Sequence, residues 1–151
     1  MTNLRRFDNS VATQMSRWGL GLVRASLGAI FVWFGALKPL GLSPAEPLLL
    51  ATVQWLPFVS AEAWLHLIGY WEIAIGLCFL WRKTLRLAIA LLALQMVGTF
   101  MPLFTLPDVT FQANRIPYAP TMEGQYIIKN LLIVSAALAV GGTLGKAQKG
   151  L

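Results

Sequence analysis

The sequence predicts an all-α membrane protein, a bundle of four transmembrane helices in a single membrane domain of 151 residues. Three observations predict it. The chain is 57% hydrophobic and only 12% charged, about half the charge of an ordinary soluble domain. Its mean hydropathy is +0.66. Its apolar residues gather into four stretches at 18–37, 63–81, 87–107 and 126–145, each close to the roughly 20 residues that cross a hydrocarbon core as a helix. A continuous helix also satisfies its own backbone hydrogen bonds, as lipid demands.

Residues 1–17 form a polar lead in which Val11, Met15 and Trp18 recur at helical spacing beside Arg17, a pattern suited to an interfacial helix. The first span lacks an A-x-A cleavage site at its end, so it is expected to remain as an anchor. Within it, Gly21, Ala25 and Ala29 lie four apart, a spacing that lets a neighbouring helix approach closely. In the loop 38–62, Pro39, Pro44, Pro47 and Pro57 bracket the apolar run 48–56. That run is too short to span, and reads as a short helix in the outer interface or a re-entrant segment. Pro47 and Pro57 suit its boundaries. The second span leads into a tight turn at 82–86, which makes spans two and three antiparallel neighbours. Pro102 in span three removes a backbone bond to Gly98 and predicts a kink. The loop 108–122, with Pro117 and Pro120, offers no regular pattern, and span four ends among Gly141, Gly142 and Gly145.

The net charge of +6 is topological rather than a nucleic-acid footprint. Arg5, Arg6, Arg17, Arg82, Lys83, Arg86, Lys146 and Lys149 fall on one side of a four-span chain, against Lys38 and Arg115 on the other. That bias predicts both termini cytoplasmic, where basic side chains also suit anionic headgroups. Cys78 is the only cysteine, which excludes an internal disulfide and a C-x-x-C relay. One histidine, one cysteine and six scattered carboxylates give no metal motif and no bis-histidine haem site. No phosphate loop or Ser-His-Asp set emerges.

The informative residues are the charges inside the spans: Arg24, Glu72 and Lys129. A charge at that depth needs a partner, water or a function. Glu72 and Gln95 fall near mid-span, and Arg24 lies roughly 5 Å to the cytoplasmic side at about 1.5 Å per residue. An Arg24–Glu72 ion pair with Gln95 as third member is therefore expected, either as a lock between helices or as a functional group. A second set lies in the outer third, where His66, Lys129 and Tyr126, with Trp33, are candidates to bind a small anion or the polar head of a quinone. Lys38, Glu123 and Tyr70 lie close by. The plainer alternatives are that Lys38 and Lys129 snorkel to the interface and that His66 pairs with Glu62 on one helix face. Trp18, Trp64 and Trp81 suit interfacial belts and Trp55 the loop. Trp33 and Trp71 are deeper, placed either to flank an aromatic ligand or to pack the core.

The first span, from Leu22 through Arg24, Gly28 and Gly35 to Lys38, resembles the opening of the DoxX-like family of small four-helix membrane proteins. Gly69-Tyr70-Trp71-Glu72-Ile73-Ala74-Ile75-Gly76 resembles its G-x-x-E-x-x-x-G signature. Gly124-Gln125-Tyr126-Ile127-Ile128-Lys129-Asn130 looks like the fourth span of a related branch, the reactive-chlorine-resistance inner-membrane proteins. The similarity runs over about residues 19–140, and the insertion that branch carries between its first two spans is shorter here. The resemblance implies a multi-pass protein of the bacterial inner membrane, with Arg24, Glu72 and Lys129 as the positions to carry over. Some relatives are linked to quinone-dependent thiosulfate oxidation or to membrane redox complexes that resist oxidants. The expected function is then a quinone- or redox-associated subunit in oxidant or sulfur metabolism, at most the membrane subunit of a quinone-linked oxidoreductase. Glu72 or His66 would handle protons and Lys129 would hold a carbonyl oxygen. The chain offers no electron carrier, so a membrane or soluble redox partner would supply electrons. Two alternatives stay open: a small homo-oligomeric transporter or anion pathway using Arg24 and Lys129, and a structural assembly subunit.

Overall fold

The computed structural model describes residues 2–54 and 58–146, so Trp55, Leu56, Pro57 and Lys149 lie outside the described residues. Among the described residues, eight α-helices follow one another: α1 (Thr2–Leu37), α2 (Glu46–Val53), α3 (Ala61–Leu80), α4 (Leu85–Phe100), α5 (Pro102–Thr105), α6 (Pro107–Thr110), α7 (Met122–Gly141) and α8 (Thr143–Lys146). A 3-10 turn, Arg82–Thr84, joins α3 to α4. Among the described residues the only β pairing is an isolated bridge between Phe111 and Pro120.

Four segments are long and apolar enough to cross a membrane, and only 22% to 28% of each apolar window is buried. Leu22, Leu77, Leu94 and Leu132 point outward and are more than half exposed. In water such a surface would be an aggregation hazard. Against lipid tails it costs nothing, because every helix keeps its backbone groups paired internally.

The long helices form a four-sided ring in which α1 packs on α3, α3 on α4, α4 on α7 and α7 on α1. The tightest seam joins α1 and α3, which run antiparallel. A side chain at Gly28 would meet Leu80 and the Gly76 carbonyl, and one at Gly35 would meet the Gly69 carbonyl at 2.8 Å. The two contacts share one register: seven residues separate Gly28 from Gly35 on α1, and Gly69 from Gly76 on α3. Glycine at both contacts lets the backbones touch, the device that small residues serve in membrane bundles. The expected stripe of Gly21, Ala25 and Ala29 instead faces outward, exposed, with nothing near Gly21. Toward the Arg82 end, Leu27 and Phe31 of α1 meet Ile75 and Phe79 of α3. Ala88, Leu92 and Met96 of α4 and Ala137 and Val140 of α7 complete that core.

Several boundaries differ from those expected. The lead and the first span form a single 36-residue helix, because residues 2–18 contain no proline or glycine to end it. At about 1.5 Å per residue such a helix is roughly 54 Å long, and residues 4–18 are exposed along it. Span three breaks at Met101, with Pro102 opening α5. Span four begins at Met122 because the Thr121 hydroxyl accepts from Gly124 N at 3.2 Å and caps it there. The same hydroxyl donates to Val109 O at 2.7 Å, and Thr121 N donates to Thr110 O at 2.9 Å. The loop between α6 and α7 is therefore tied down at its base, with Thr110 fully buried.

The α1–α3 seam sets a stability test. At Gly76 an added Cβ would lie 2.6 Å from Val32 N and 2.7 Å from Gly28 O, backbone atoms that cannot swing aside. Gly76→Ala is expected to cost about 1–3 kcal/mol by overpacking, read as a lower unfolding temperature in detergent. Gly98→Ala is the control: nothing lies within 4 Å of its Cβ position, so the variant should hold or gain stability.

Candidate functional site

Beneath α2 lies an open-sided cavity of about 380 Å³, walled by α2, α3, α4 and α7. Its position follows from how α1 ends. Leu42 N donates to Leu37 O at 2.9 Å and Gly41 N to Lys38 O at 3.1 Å, the paired bonds of a Schellman motif. The motif needs a left-handed residue, and Gly41 supplies it at φ +66°. Lys38 is thereby held in the last turn of α1, next to Pro39, which packs on Gly69.

Side chains on a helix lean toward its N-terminus. On antiparallel α1 and α3, Lys38 leans away from the α2 end and Glu72 leans toward it, so the two converge. Lys38 Nζ donates to Glu72 Oε2, forming the one salt bridge among the described residues. Gln95 Nε2 of α4 donates to Glu72 Oε1 at 3.1 Å. Lys38 is 7% exposed, so it does not snorkel. Both carboxylate oxygens of Glu72 thus have donors, from two different helices, and this triad forms one polar wall of the cavity. A buried pair of this kind is costly to leave half made.

The expected Arg24–Glu72 pair does not form. The glycine register sets Arg24 level with Leu80 and Glu72 level with Val32. Eight residues at about 1.5 Å each separate them by roughly 12 Å, and the lean of Arg24 carries it further away. Arg24 instead donates to Leu80 O at 3.3 Å. It places a positive charge at the C-terminus of α3, whose own last turn has no basic residue, where a cation suits the helix dipole.

The outer set of candidates does not assemble either. Trp33 and Lys129 each lie two residues from a buried position, Phe31 and Ile127, about 200° around the helix and so facing out. Trp33 is 66% exposed and rests on Phe34, ring centroids 6.0 Å apart. Lys129 sits over Tyr126 of its own helix, 5.7 Å from the ring centroid. The His66 ring nitrogen Nδ1 lies 3.0 Å from the Glu62 carbonyl oxygen. Of the four, only Tyr126 lines the cavity.

Of the remaining walls, the sequence singled out Trp71, to flank a ligand or pack the core, whereas Trp64 and the run 48–56 were expected at the interface. Trp64, Ile68 and Trp71 form a stripe on α3, facing Leu94, Gly98 and Thr99 on α4. Leu48, Leu49, Thr52 and Val53 of α2 close it above, and Ile127 and Asn130 of α7 behind. The polar donors here mostly serve their own helices. Thr99 donates to Gln95 O at 3.1 Å, Thr52 to Leu48 O at 2.7 Å and Asn130 to Tyr126 O at 2.9 Å. The exceptions are Trp64 Nε1 and Trp71 Nε1, both buried without an acceptor. A buried donor left unpaired costs about 1–3 kcal/mol. A signal for Lys38 was present in the sequence: the matched seven-residue glycine spacing on spans one and two gives the register that brings it to Glu72.

Among the described residues, no three His, Cys, Asp or Glu side chains gather as metal ligands do. The site is a mainly apolar chamber with a charge-compensated polar wall. Lys38→Met alone should destabilise the fold by about 3–5 kcal/mol by stranding Glu72. The double variant Lys38→Met, Glu72→Leu should recover most of that loss. Thermal unfolding of the three proteins in one detergent checks the difference. Comparison of the chain with protein-family models, with curated proteins and with solved structures gives no match.

Proposed function

We propose that the protein is a multi-pass protein of the DoxX-like type in the bacterial inner membrane, and that its cavity binds the oxygenated ring of a membrane quinone. On this reading it is a redox-associated subunit rather than a complete oxidoreductase. The observation that carries the reading is a neutralised Lys38–Glu72–Gln95 wall set in an otherwise mainly apolar cavity.

The residues present fit such a ring. A volume of about 380 Å³ falls within the range of small-molecule pockets, and the lining is mainly apolar, as those pockets are. The ring carries only acceptor oxygens, and the donors of the polar wall, Lys38 and Gln95, are what it would meet. Lys38 has further N–H groups beyond the one given to Glu72. Trp71 and Ile68 offer flat and branched apolar surface for the ring faces. A bound quinone supplies two-electron, two-proton redox chemistry. Within the chain, Glu72 is the carboxylate positioned to hold a proton beside the ring, Lys38 and Gln95 fix its orientation, and α2 lines the cavity above. This assignment replaces the roles expected for His66 and Lys129, which do not line the cavity.

The anion-pathway alternative is less well supported. Lys38 is neutralised by Glu72, Arg24 is engaged with Leu80 O, and Lys129 is exposed on the outer side of α7.

Extraction of the purified protein and mass spectrometry for quinones tests the reading. The wild type should retain a quinone, and Trp71→Ala should retain about tenfold less, the loss of the apolar surface Trp71 offers the ring. A wild type that neither retains nor binds any quinone sinks it. The topology proposed with it, both termini cytoplasmic and α2 in the outer interface, has its own test. In a Cys78→Ala background, a membrane-impermeant maleimide on intact cells should label Arg115→Cys and leave Arg86→Cys unlabelled. The reverse pattern inverts the orientation.

A further inference from the structure

The cavity wall is broken on one side. Leu94 and Gly98 both line the cavity, yet both lie on the exposed face of α4. Leu94 is 61% exposed. Both belong to the membrane-span segment Arg82–Thr105, so the gap they border meets lipid tails rather than water.

Gly98 differs from the glycines of the α1–α3 seam. Gly28, Gly35, Gly69 and Gly76 would each place a Cβ within 2.8 Å of a neighbour, whereas Gly98 would meet nothing within 4 Å. No close helix approach requires glycine there, and glycine inside a helix weakens it. What the missing side chain does at Gly98 is keep the wall open. Lys38 and Gln95 line the same cavity, and the two residues at its exposed side, Leu94 and Gly98, carry no polar side-chain group.

We propose that Gly98 and Leu94 form a lateral portal through which the cavity takes a hydrocarbon-tailed ligand directly from the bilayer. The oxygenated head sits against Lys38, Gln95 and Trp71, and the tail leaves past Gly98 into lipid. The inference rests on the quinone-ring reading of the cavity and adds a ligand class to it: an amphiphile recognised by head and tail together, with Gly98 setting the room for the tail. A small water-soluble quinone makes only the head contacts.

The test compares two probes, decylubiquinone and its tailless parent ring, on protein in lipid nanodiscs, with tryptophan fluorescence quenching as the readout of binding. Gly98→Trp fills the portal, and Gly98→Ala is a control that barely narrows it. Near-native unfolding temperatures for both variants establish that they fold. The wild type should bind decylubiquinone more tightly than the tailless ring. Gly98→Trp should weaken decylubiquinone about tenfold, the loss expected when about two buried methylenes are displaced, and change the tailless ring less than threefold. A wild type that binds decylubiquinone no more tightly than the tailless ring overturns the portal. If Gly98→Trp leaves both probes unchanged, the tail does not pass Gly98 and the portal is overturned. If it weakens both equally, the tryptophan has entered the head site and the portal is likewise overturned. A wild type that binds neither probe overturns the quinone-ring reading itself, a result distinct from an insensitive variant.

Discussion

The antiparallel contact of α1 and α3 through two glycine pairs is the constraint from which the rest of the structure follows. Gly28 against Gly76 and Gly35 against Gly69 bring two backbones into direct contact. Contact at two points seven residues apart fixes the register, because sliding either helix by one residue would turn both glycines out of the seam. Register then decides which charges can meet. Lys38 comes over Glu72 and Arg24 comes to the last carbonyl of α3. The energetic weight rests on packing rather than on an apolar driving force, since lipid tails solvate the outer leucines as well as a protein core would.

Around this seam the molecule divides into two halves of different character. Toward the Arg82 end the ring is filled by Leu27, Phe31, Ile75, Phe79, Leu92 and Val140, and polar groups there such as Arg24 and Thr84 bond backbone carbonyls. Thr84 Oγ1 donates to Cys78 O at 2.9 Å, and Arg24 does the same for Leu80. Toward the α2 end the filling gives way to the cavity, and the polar side chains bond one another across helices. The Lys38–Glu72–Gln95 triad links α1, α3 and α4 where apolar packing is least dense. A site built on three helices has the preorganisation that binding requires, whereas a group on the outer face of a single helix, such as Lys129, does not.

The charges in the spans were legible as unusual residues, but their partners were not. Depth counting set Arg24 near Glu72 because it placed each residue by the length of its own span, whereas the glycine register offsets the two by eight residues. The lean of side chains toward the helix N-terminus moves a lysine and a glutamate on antiparallel helices by several ångströms in opposite senses, enough to change the partner. Trp33 and Lys129 show the complementary failure. Their depth was assigned from the sequence and their face was not, and position around the helix separates them from the cavity. The loop 108–122 yielded no pattern because its order comes from single contacts, the Thr121 hydroxyl on Val109 O and the Gly124 approach to Thr110, which leave no period to detect.

By itself the sequence determined the number, approximate place and apolar character of the four long helices, the break at Pro102 and the short helix before α3. These depend on local quantities: segment length, hydropathy, and the absence or presence of proline and glycine. It also marked Glu72 as a residue needing a partner, since a lone charge in an apolar segment is visible without coordinates. Only the tertiary structure decided that the partner is Lys38, that Arg24 closes a helix end, and that Trp64, Trp71 and Gly98 border a common cavity. Those are relations between residues far apart in the chain, set by the rotation and register of packed helices, and backbone contact at two glycine pairs is what selects them.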